Sequence, residues 1–582
     1  MELVKKAWSI FERKQKIRFF ELLVAIFIGT ALETVGVAAI VPFISAIVDP
    51  SSLLEMPILK VVYDGLGMNH TNEFIIFLAI VLIFVYIAKN MYLCFMYDIQ
   101  FRFVYNNQRR IATKLMASYL RQPYSYHLQH NSAEYIHNIT QDVDTFCLTV
   151  LYFINLITDV MVCLALAVVL FITDKSITIG VAALVGLVIL IFYKHYKKKV
   201  LLLGDEKRYY YTKSTQTIQQ AFGGVKELKV LGREKFFEEH YYSEYGKYTN
   251  SRRKVSAYTM MPKPVMETVC VAALLLVISL KVASGVAVEY FVPTLSVFAL
   301  AVIRILPSGS RISSSISNIS YGKASVETIY RDMQNVVSLK NEDKIVQGEV
   351  PFNNRIEVKD VSFTYEEAEN KVLDGVSVFI PKNKSVAFIG PSGAGKTTLV
   401  DIILGVLAYQ SGTIQIDNRE LNECKVGWQK KVGYIPQNIY ILDDSIKRNI
   451  AFAVDDDEID EERIWKAIEQ AQLNEFIQSL PDGVDTVIGE RGARVSGGQR
   501  QRIGIARALY HDPEVLVLDE ATSALDHETE TAVMEAIDAL NGSKTLIIIA
   551  HRLSTIENCN MVYRVENGKA VLEKSDGEQN SV

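Results

Sequence analysis

A glycine-rich run with the potential to bind phosphate reads FIGPSGAGKTTLV at positions 388–400. It follows a strand-like segment and opens a helical pattern, which is the setting of a phosphate-binding loop. The glycines would let backbone N–H groups converge on phosphate oxygens, while the helix N-terminus adds its positive dipole end. Lys396 would reach the β- and γ-phosphates of a nucleotide, and the Thr397 hydroxyl would ligate Mg²⁺. The predicted nucleotide contacts in this run are Gly390, Ser392, Gly393, Ala394, Gly395, Lys396, Thr397 and Thr398.

A second motif lies further along, where residues 495–508 read VSGGQRQRIGIARA and precede the apolar run VLVLDE. Together the two motifs resemble the ABC ATPase family across roughly 220 residues. In that family the signature of one subunit closes over the nucleotide held by the loop of the other, which implies ATP as the cofactor and two ATP molecules sandwiched between two domains. Val495 replaces the usual leucine, a conservative apolar change. The signature residues are Ser496, Gly497, Gly498 and Gln499.

The resemblance implies further roles around the phosphates. Asp519 ends the apolar run and would hold Mg²⁺, partly through water, because Mg²⁺ favours one or two carboxylates. Glu520 follows it as the general base or water-orienting group. Gln437, in YIPQN, would touch Mg²⁺ and the attacking water, and His551, in IIIAHRLST, would contact the γ-phosphate. The predicted catalytic residues are Lys396, Gln437, Glu520 and His551, and the predicted metal ligands are Thr397, Gln437 and Asp519.

Two more positions match the family away from the phosphates. Tyr365, in FTYEE, is placed to stack on adenine, and Asp526, in SALD, belongs to a loop that crosses the dimer interface. One intact set of motifs in a single chain predicts a homodimer with two equivalent, competent sites. A heterodimer would be favoured if an aspartate stood in place of Glu520.

The residues before position 307 have the composition of a membrane domain. Apolar residues make up 49% of the 582-residue chain and concentrate in this part. Six apolar stretches are long enough to cross a hydrocarbon core of about 30 Å. They occupy residues 17–48, 72–97, 146–172, 175–193, 264–285 and 288–307. The predicted fold class is therefore a six-span helical membrane domain, residues 1–334, a linker, 335–354, and an α/β ABC ATPase domain, 355–582, with an α-helical insertion around residues 451–513.

Charge predicts the orientation of these spans. The long connections 98–145 and 194–263 are rich in Lys and Arg, whereas Lys60 and Lys175 are the only basic residues in the opposite connections. The positive-inside rule then places the long connections, both termini and the ATPase domain in the cytoplasm. Helical apolar spacing continues through both long connections, so the spans should extend as helices beyond the bilayer and turn near residues 135–146 and 223–237.

Composition argues against other partners. The net charge of −5 does not suggest a nucleic acid partner. The six cysteines include no CxxC pair, which disfavours a disulfide framework and a zinc site. Apolar residues recur at helical spacing in the basic N-terminal segment, which favours a short helix at the inner membrane surface over a plain cytosolic first turn.

Basic residues inside the membrane domain suggest a site for an anionic cargo. Arg304 and Arg311 are seven residues apart, hence on one face of the last span. An intramembrane arginine costs roughly 2.5–3.5 kcal/mol and usually faces protein, water or an anionic ligand. Lys263 and Arg102 could join them in a basic cavity for a phosphate or diphosphate headgroup. The alternative is that the arginines pair with Asp159, Glu267 or Glu33, or snorkel to the inner interface.

A more specific resemblance concerns the cargo. The stretches LETVGVAAIVPFI, IRILPSGSRI and VGYIPQNIYILDDSI are similar to the PglK-type family of bacterial lipid-linked oligosaccharide flippases, in register over most of the chain. The resemblance implies ATP-driven transfer of a polyprenyl-diphosphate oligosaccharide across the bacterial inner membrane. It also implies an external lipid-contacting helix at Leu53–Leu66, where spacing leaves a loop cap open, and diphosphate contacts from the four basic residues.

Two other readings stay open at this point. The first is export of a drug, peptide or other lipid by the same scaffold. The second is a gated channel or regulator, which intact Glu520 and His551 disfavour.

Overall fold

A computed structural model of the chain describes residues 2–40, 43, 47, 57–66, 71–173, 175–283, 288–342, 350–366, 368–489, 492–519, 531, 535, 537, 539–550 and 556–575. The chain divides into two compact units. A helical unit comprises Met1–Gln122 and Gln129–Leu339, and an α/β unit comprises Pro123–Leu128 and Lys340–Val582. The α-helical and α/β fold class predicted from the sequence is confirmed.

The first part of the chain is helical in its described residues apart from short breaks, because its apolar runs contain few helix breakers. Its helices are α1 (Glu2–Ile10), α2 (Arg13–Ala38), α3 (Pro57–Leu66), α4 (Thr71–Leu120), α5 (Tyr124–Gln129), α6 (Ser132–His137), α7 (Val143–Thr173), α8 (Lys175–Gly223), α9 (Val225–Leu231), α10 (Glu234–Met260), α11 (Pro262–Ala283), α12 (Val288–Tyr321) and α13 (Lys323–Glu342). A π-helical segment, Asn138–Asp142, joins α6 to α7.

Several of these helices are far longer than a bilayer requires. The 50 residues of α4 span about 75 Å at 1.5 Å per residue, against a hydrocarbon core of about 30 Å. Among the described residues, three helical stretches are long and apolar enough to cross a membrane: Arg13–Gly36, Asn72–Leu120 and Ser132–Ile172. A helix also lies at each of the other predicted spans, whose membrane crossing stays a prediction. Of the predicted external segment, Pro57–Leu66 is helical, and residues 53–56 lie outside the described part.

The two predicted turning points have different outcomes. The second is observed, since α8 ends at Gly223 and α9 separates it from α10. The first is wrong: the chain turns at residues 121–131, and 135–146 is continuous helix apart from the π-helical segment. Pro123 explains the earlier break, because proline lacks an N–H and disfavours the α conformation of the residue before it.

A buried apolar cluster holds five helices of the helical unit together. It joins α1, α2, α4, α7 and α13 through side chains such as Phe11, Phe103, Phe146 and Ile329. The amphipathic α1 packs on this cluster, with the Trp8 ring edge-on to Phe19 at 5.3 Å between centroids. The predicted N-terminal helix is therefore present.

The α/β unit contains two sheets that place the phosphate loop. Its strands are β1 (Arg355–Phe363), β2 (Leu373–Pro381), β3 (Ser385–Ile389), β4 (Ser411–Ile416), β5 (Arg419–Glu420), β6 (Val432–Ile435), β7 (Val515–Asp519), β8 (Thr545–Ile549), β9 (Met561–Glu566) and β10 (Lys569–Ser575). One sheet has the order β2-β1-β4-β5 and the other the order β10-β9-β3-β8-β7-β6. Strands β9, β3, β8, β7 and β6 run parallel, so their carboxyl ends share one edge.

Helices pack on both sheets of this unit. They are α14 (Lys396–Ile403), α15 (Leu421–Gln429), α16 (Ile446–Ile450), α17 (Glu461–Gln470), α18 (Asn474–Gln478) and α19 (Gly497–Tyr510). Helices α17 to α19 lie within the α-helical insertion expected around residues 451–513. Their apolar faces, with Ile464, Ile468 and Ile503, share one buried cluster with β7.

Candidate nucleotide-binding and substrate sites

The phosphate loop connects β3 to α14 and depends on glycine at three positions. Gly390, Gly393 and Gly395 have backbone φ angles of +141°, +80° and +97°, which residues other than glycine rarely adopt. A Cβ at Gly390 would also lie 2.1 Å from the carbonyl oxygen of Val565 in the neighbouring strand β9. The loop is therefore shaped both by its own dihedral angles and by the strand beside it.

The first residues of α14 present polar groups to this loop. Lys396 is buried, and its ammonium donates hydrogen bonds of 2.9 Å to the carbonyl oxygens of Gly390 and Pro391. These contacts hold the charge at the loop, where phosphate oxygens could replace the carbonyls. The side chain of Thr397 is exposed. The side chain of Thr398 is buried beside the Tyr365 hydroxyl, so its predicted nucleotide contact would be made by its backbone N–H.

Tyr365 is fixed just beyond β1. Its hydroxyl lies 3.0 Å from the Thr398 hydroxyl, and its ring meets Phe363 edge-on at 4.9 Å between centroids. These contacts hold an aromatic ring beside the start of α14, while adenine stacking stays a prediction.

A pair of carboxyl groups meets near the end of β7. Asp519 is buried and accepts a hydrogen bond of 3.5 Å from the Tyr434 hydroxyl. Asp401 lies one helical turn after Thr397 in α14, on the same face. Burial, with the nearby Asp519 charge, raises the pKa of Asp401 to about 6. Sequence reasoning missed Asp401 and Tyr434; the four-residue spacing from Thr397 was the available signal for Asp401.

These groups fit a Mg²⁺ ion that is held jointly with phosphates. The described residues contain no cluster of three or more His, Cys, Asp or Glu that could hold a metal alone. Mg²⁺ usually takes one or two carboxylates and completes its shell with water and phosphate oxygens. The Thr397 hydroxyl and the Asp519 carboxylate are donors of that kind.

The parallel register brings the remaining catalytic segments to one sheet edge. Ile435 of β6 pairs with Leu518, and Asp519 pairs with Ile549 of β8. Gln437 is exposed two residues after β6 ends. Of the other predicted site residues, Glu520, Asp526 and His551 lie outside the described residues.

The signature motif forms the N-terminus of α19. Ser496 caps the helix, accepting a 3.2 Å hydrogen bond from the Gln499 N–H, while its own N–H donates to the Gln499 side chain at 2.8 Å. No atom lies within 4 Å of a Cβ built on Gly497. A helix of 14 residues thus offers a capped, open N-terminus, and such an end attracts phosphate. Gly498 is buried behind it.

A polar cavity lies inside the helical unit, between α2, α4, α7 and α12. It encloses about 610 Å³, and its polar lining residues are Thr30, Glu33, Gln100, Asn155, Thr158, Asp159 and Arg311. Arg311 makes a bidentate contact with the buried Asp159: its Nε is 2.9 Å and its Nη2 2.6 Å from Oδ1. The ion-pair alternative is therefore observed for Arg311, although 58% of its side chain stays exposed.

The four basic residues predicted for the cargo do not form one basic cavity within a chain. Arg102 lines a separate groove and pairs with Asp98 at 2.7 Å. It lies two residues, or about 200° around α4, from the cavity residue Gln100, and so faces the other side of the helix. Lys263 is exposed near the start of α11, and the side chain of Arg304 is outside the described set.

Comparisons with known proteins agree with this architecture. The family described as ABC transporter matches residues 373–523, and the ABC transporter transmembrane region matches residues 38–305. The chain is 30% identical to an ATP-dependent lipid A-core flippase of Ralstonia nicotianae over 79% of its own length and 78% of that protein. It is also 30% identical to the heterocyst differentiation ATP-binding protein HepA of a Nostoc species, over 77% and 72% of the two chains.

Two further comparisons support less: one covers only part of the relative, and the other has low sequence identity. The match to the ATP-dependent lipid A-core flippase of Vibrio cholerae, at 34% identity, spans 61% of either protein, less than two thirds of that relative's length. The structure of a bacterial Atm1-family ABC exporter with ATP bound superimposes with a TM-score of 0.77, covering 96% of this chain and 95% of that one. At 20% identity this likeness concerns the fold alone. With its transmembrane region and ABC ATPase domain in one polypeptide, the chain belongs to the ABC transporter family.

Proposed function

We propose that the protein is an ATP-driven flippase of the bacterial inner membrane whose cargo is a polyprenyl-diphosphate-linked oligosaccharide. The observation that carries the proposal is the polar cavity among apolar helices. Its amide, hydroxyl and carboxyl groups can hydrogen-bond a sugar chain, and the Arg311 guanidinium can contact a diphosphate. An apolar drug would leave many of these polar groups without partners, which is costly inside a membrane.

The ion pair suggests how cargo contacts Arg311. The guanidinium is more than half exposed on the cavity side, while Asp159 is almost fully buried behind it. Asp159 therefore orients Arg311 and offsets its charge, and a diphosphate can approach the free edge of the guanidinium. Arg304 has a seven-residue spacing from Arg311 and so belongs to the same helix face. Lys263 is exposed and is a weaker candidate, and Arg102 lies in a separate groove and is not part of the proposed cargo site.

The motor is proposed to act as a homodimer. The open α19 N-terminus with Ser496 would close over the nucleotide that the partner's phosphate loop holds, and Lys396 would neutralise phosphate charge. Bound Mg²⁺ would supply further charge neutralisation. Glu520 would orient or deprotonate the attacking water, Gln437 would touch Mg²⁺ and that water, and His551 would contact the γ-phosphate. ATP binding closes the dimer, the long helices transmit closure to the cavity, and hydrolysis resets the transporter.

The experiment is flipping in proteoliposomes with a polyprenyl-diphosphate oligosaccharide, alongside a panel of drugs, peptides and other lipids tested for stimulation of ATPase activity. We expect stimulation by the diphosphate lipid and loss of flipping in Arg311→Ala plus Arg304→Ala. Lys263→Ala is the single-charge comparison. Stimulation by drugs or peptides alone would refute the cargo.

A second candidate cargo has support of its own. Several relatives carry the name lipid A-core flippase, so lipid A-core belongs in the same panel. Glu520→Gln tests the pump itself: a pump loses ATP hydrolysis and flipping together, whereas a gated channel would stay open with ATP bound.

A further inference from the structure

A second groove lies on the helical unit, between the start of α2 and the cytoplasmic half of α4. It encloses about 860 Å³ and is separate from the polar cavity. We name it the interface groove, and it is defined by Gln15, Arg18, Arg102, Asn107, Arg109 and Arg110. Lys114 lies at its cytoplasmic end.

The position of the interface groove matches the inner edge of the predicted bilayer. Beside the groove and beyond it, α2 exposes the apolar residues Phe20, Val24 and Phe27, which are 59–64% exposed. On α4, Met91 and Phe95 are similarly exposed, at 69% and 61%. Apolar surface thus gives way to basic surface on both helices at the same level. A phospholipid has the same arrangement, with acyl chains on one side of a charged headgroup.

The groove carries more positive than negative charge. Five cationic side chains line it, and the nearby carboxylates are Glu12, Glu21 and Asp98. Arg110 and Lys114 share Glu12, and Arg102 pairs with Asp98. Within the described ranges, no carboxylate lies within ion-pairing distance of Arg18 or Arg109. The surplus favours a ligand that carries negative charge.

The groove contains buried hydrogen-bond acceptors and buried donors that have no partner in the described structure. Asn107 is 6% exposed; its Nδ2 donates to the Phe103 carbonyl at 2.7 Å, whereas its Oδ1 has no partner in the described structure. The Gln15 Oε1 is likewise a buried acceptor without a donor. The guanidinium nitrogens of Arg110 are buried donors with no hydrogen bond, although Nη1 lies 3.0 Å from a Glu12 oxygen. Buried polar atoms are nearly always satisfied, so a ligand that offers both acceptors and donors would suit this site.

We propose that the interface groove binds the headgroup of an anionic phospholipid of the inner leaflet, phosphatidylglycerol. Its phosphodiester oxygens accept from Arg18, Arg109 and Arg110, and its glycerol hydroxyls donate to Asn107 and Gln15. Its acyl chains lie along the exposed apolar surface of α2 and α4. A zwitterionic headgroup would add an ammonium ion to a site that already has excess positive charge.

The test is native mass spectrometry of the full-length protein, titrated in detergent with phosphatidylglycerol, phosphatidylethanolamine or phosphatidylcholine. We expect tightest binding of phosphatidylglycerol, weakened at least fivefold in Arg18→Gln plus Arg109→Gln. The control is Arg253→Gln plus Lys254→Gln, which removes the same charge from exposed sites on α10 and should leave binding unchanged. Asn107→Leu should reduce the preference for phosphatidylglycerol over phosphatidic acid, which lacks the second glycerol.

Three results would overturn the proposal. Equal binding of all three phospholipids would indicate an unspecific annulus, and equal weakening in both double variants would indicate a general charge effect. Displacement by glycerophosphoglycerol without acyl chains, with no preference for the intact lipid, would indicate a free-anion site. Arg311→Ala should still bind phosphatidylglycerol, so failure of the cargo assignment and failure of this site are distinguishable. Unchanged melting temperatures verify that each variant is folded.

Discussion

Gly390 shows how a single residue position determines the shape of the nucleotide site. An alanine there would combine a left-handed φ with a Cβ 2.1 Å from a backbone oxygen of β9, and neither backbone can move without breaking the sheet. We expect Gly390→Ala to destabilise the α/β unit by about 2–5 kcal/mol. That corresponds to a loss of about 5–15 °C in its melting temperature.

Gly483→Ala is the matched control for this prediction. Gly483 also has a positive φ, +52°, but no atom lies within 4 Å of its added Cβ. Gly483→Ala should lower the free energy of unfolding by about 1 kcal/mol, because only backbone strain is added. Differential scanning fluorimetry of both variants, with ATP binding measured in parallel, checks the difference. Equal melting temperatures would mean that the contact with β9 can relax.

Individual site residues could be predicted from the sequence where they belong to one short motif. Contacts between residues that are far apart in the sequence could not. The phosphate loop and the Ser496 cap are each contained in a few consecutive positions, so spacing suffices. The pairing of Arg311 with Asp159 joins residues 152 positions apart, and sequence could offer it only as one of several alternatives. The pKa of Asp401 is raised mainly by burial and further by the charge of Asp519, and both depend on how the fold packs α14 against the sheet.

A buried polar network ties four elements of the helical unit together around the π-helical segment. Asp142 is 2% exposed; it lies 3.0 Å from Arg208 Nε of α8 and accepts a 2.7 Å hydrogen bond from Ser325 of α13. His137 of α6 lies 3.6 Å away. Burial alone would raise the pKa of Asp142, but the nearby His137 ring, the Arg208 charge and the Ser325 hydroxyl together lower it.

Asp142→Asn should therefore weaken the junction of these helices. The substitution leaves Arg208 beside a neutral amide, and we expect a loss of about 3 kcal/mol. Because the pKa of Asp142 is lowered in the folded state, its stabilisation is present above the unfolded value, near 3.9, and is lost only below it. The melting difference between wild type and variant should thus be constant between pH 7 and 8.5. A difference that changes across this window would contradict the assignment.

Close crossing of two long helices gives a prediction for α8. Gly204 faces α12, and a Cβ there would lie 2.7 Å from the Tyr321 carbonyl oxygen. Gly204→Ala should force the helices apart and destabilise the helical unit by about 1–3 kcal/mol. Gly186→Ala, in the same helix with no atom within 4 Å, should be neutral or stabilising by up to about 1 kcal/mol. Thermal unfolding followed by size-exclusion chromatography compares them, and equal behaviour would exclude a tight crossing.

Helix existence was easier to predict than helix interruption. Long apolar runs indicate helices, and Gly223 with Gly224 marks the second turn directly. At the first turn the proline signal at Pro123 competed with uninterrupted apolar spacing further on. The π-helical segment depends on the tertiary network around Asp142, which no local pattern specifies.

On the scale of the whole molecule, the second turn exposes apolar surface that a cytoplasmic segment would normally cover. Phe222, Val230 and Leu231 are 71%, 80% and 68% exposed around the junction of α8, α9 and α10. A largely apolar groove of about 490 Å³, lined by Phe222, Val225 and Phe237, lies beside them. Exposed apolar patches of this kind indicate a protein partner. In a homodimer, the ATPase domain of the second copy is the partner we predict.

Phe222→Asp tests this contact as the link between motor and cavity. A carboxylate in an apolar interface is costly to bury, so the contact should weaken while each unit keeps its own core. We expect basal ATP hydrolysis to persist, and both flipping and cargo stimulation of hydrolysis to fall at least tenfold in proteoliposomes. Tyr242→Asp, at a position 83% exposed on α10 and outside the groove, is the matched control and should behave as wild type. If the Phe222→Asp variant flips cargo at the wild-type rate, this contact does not transmit the movement of the ATPase domains. The turn at residues 121–131 would then be the remaining candidate.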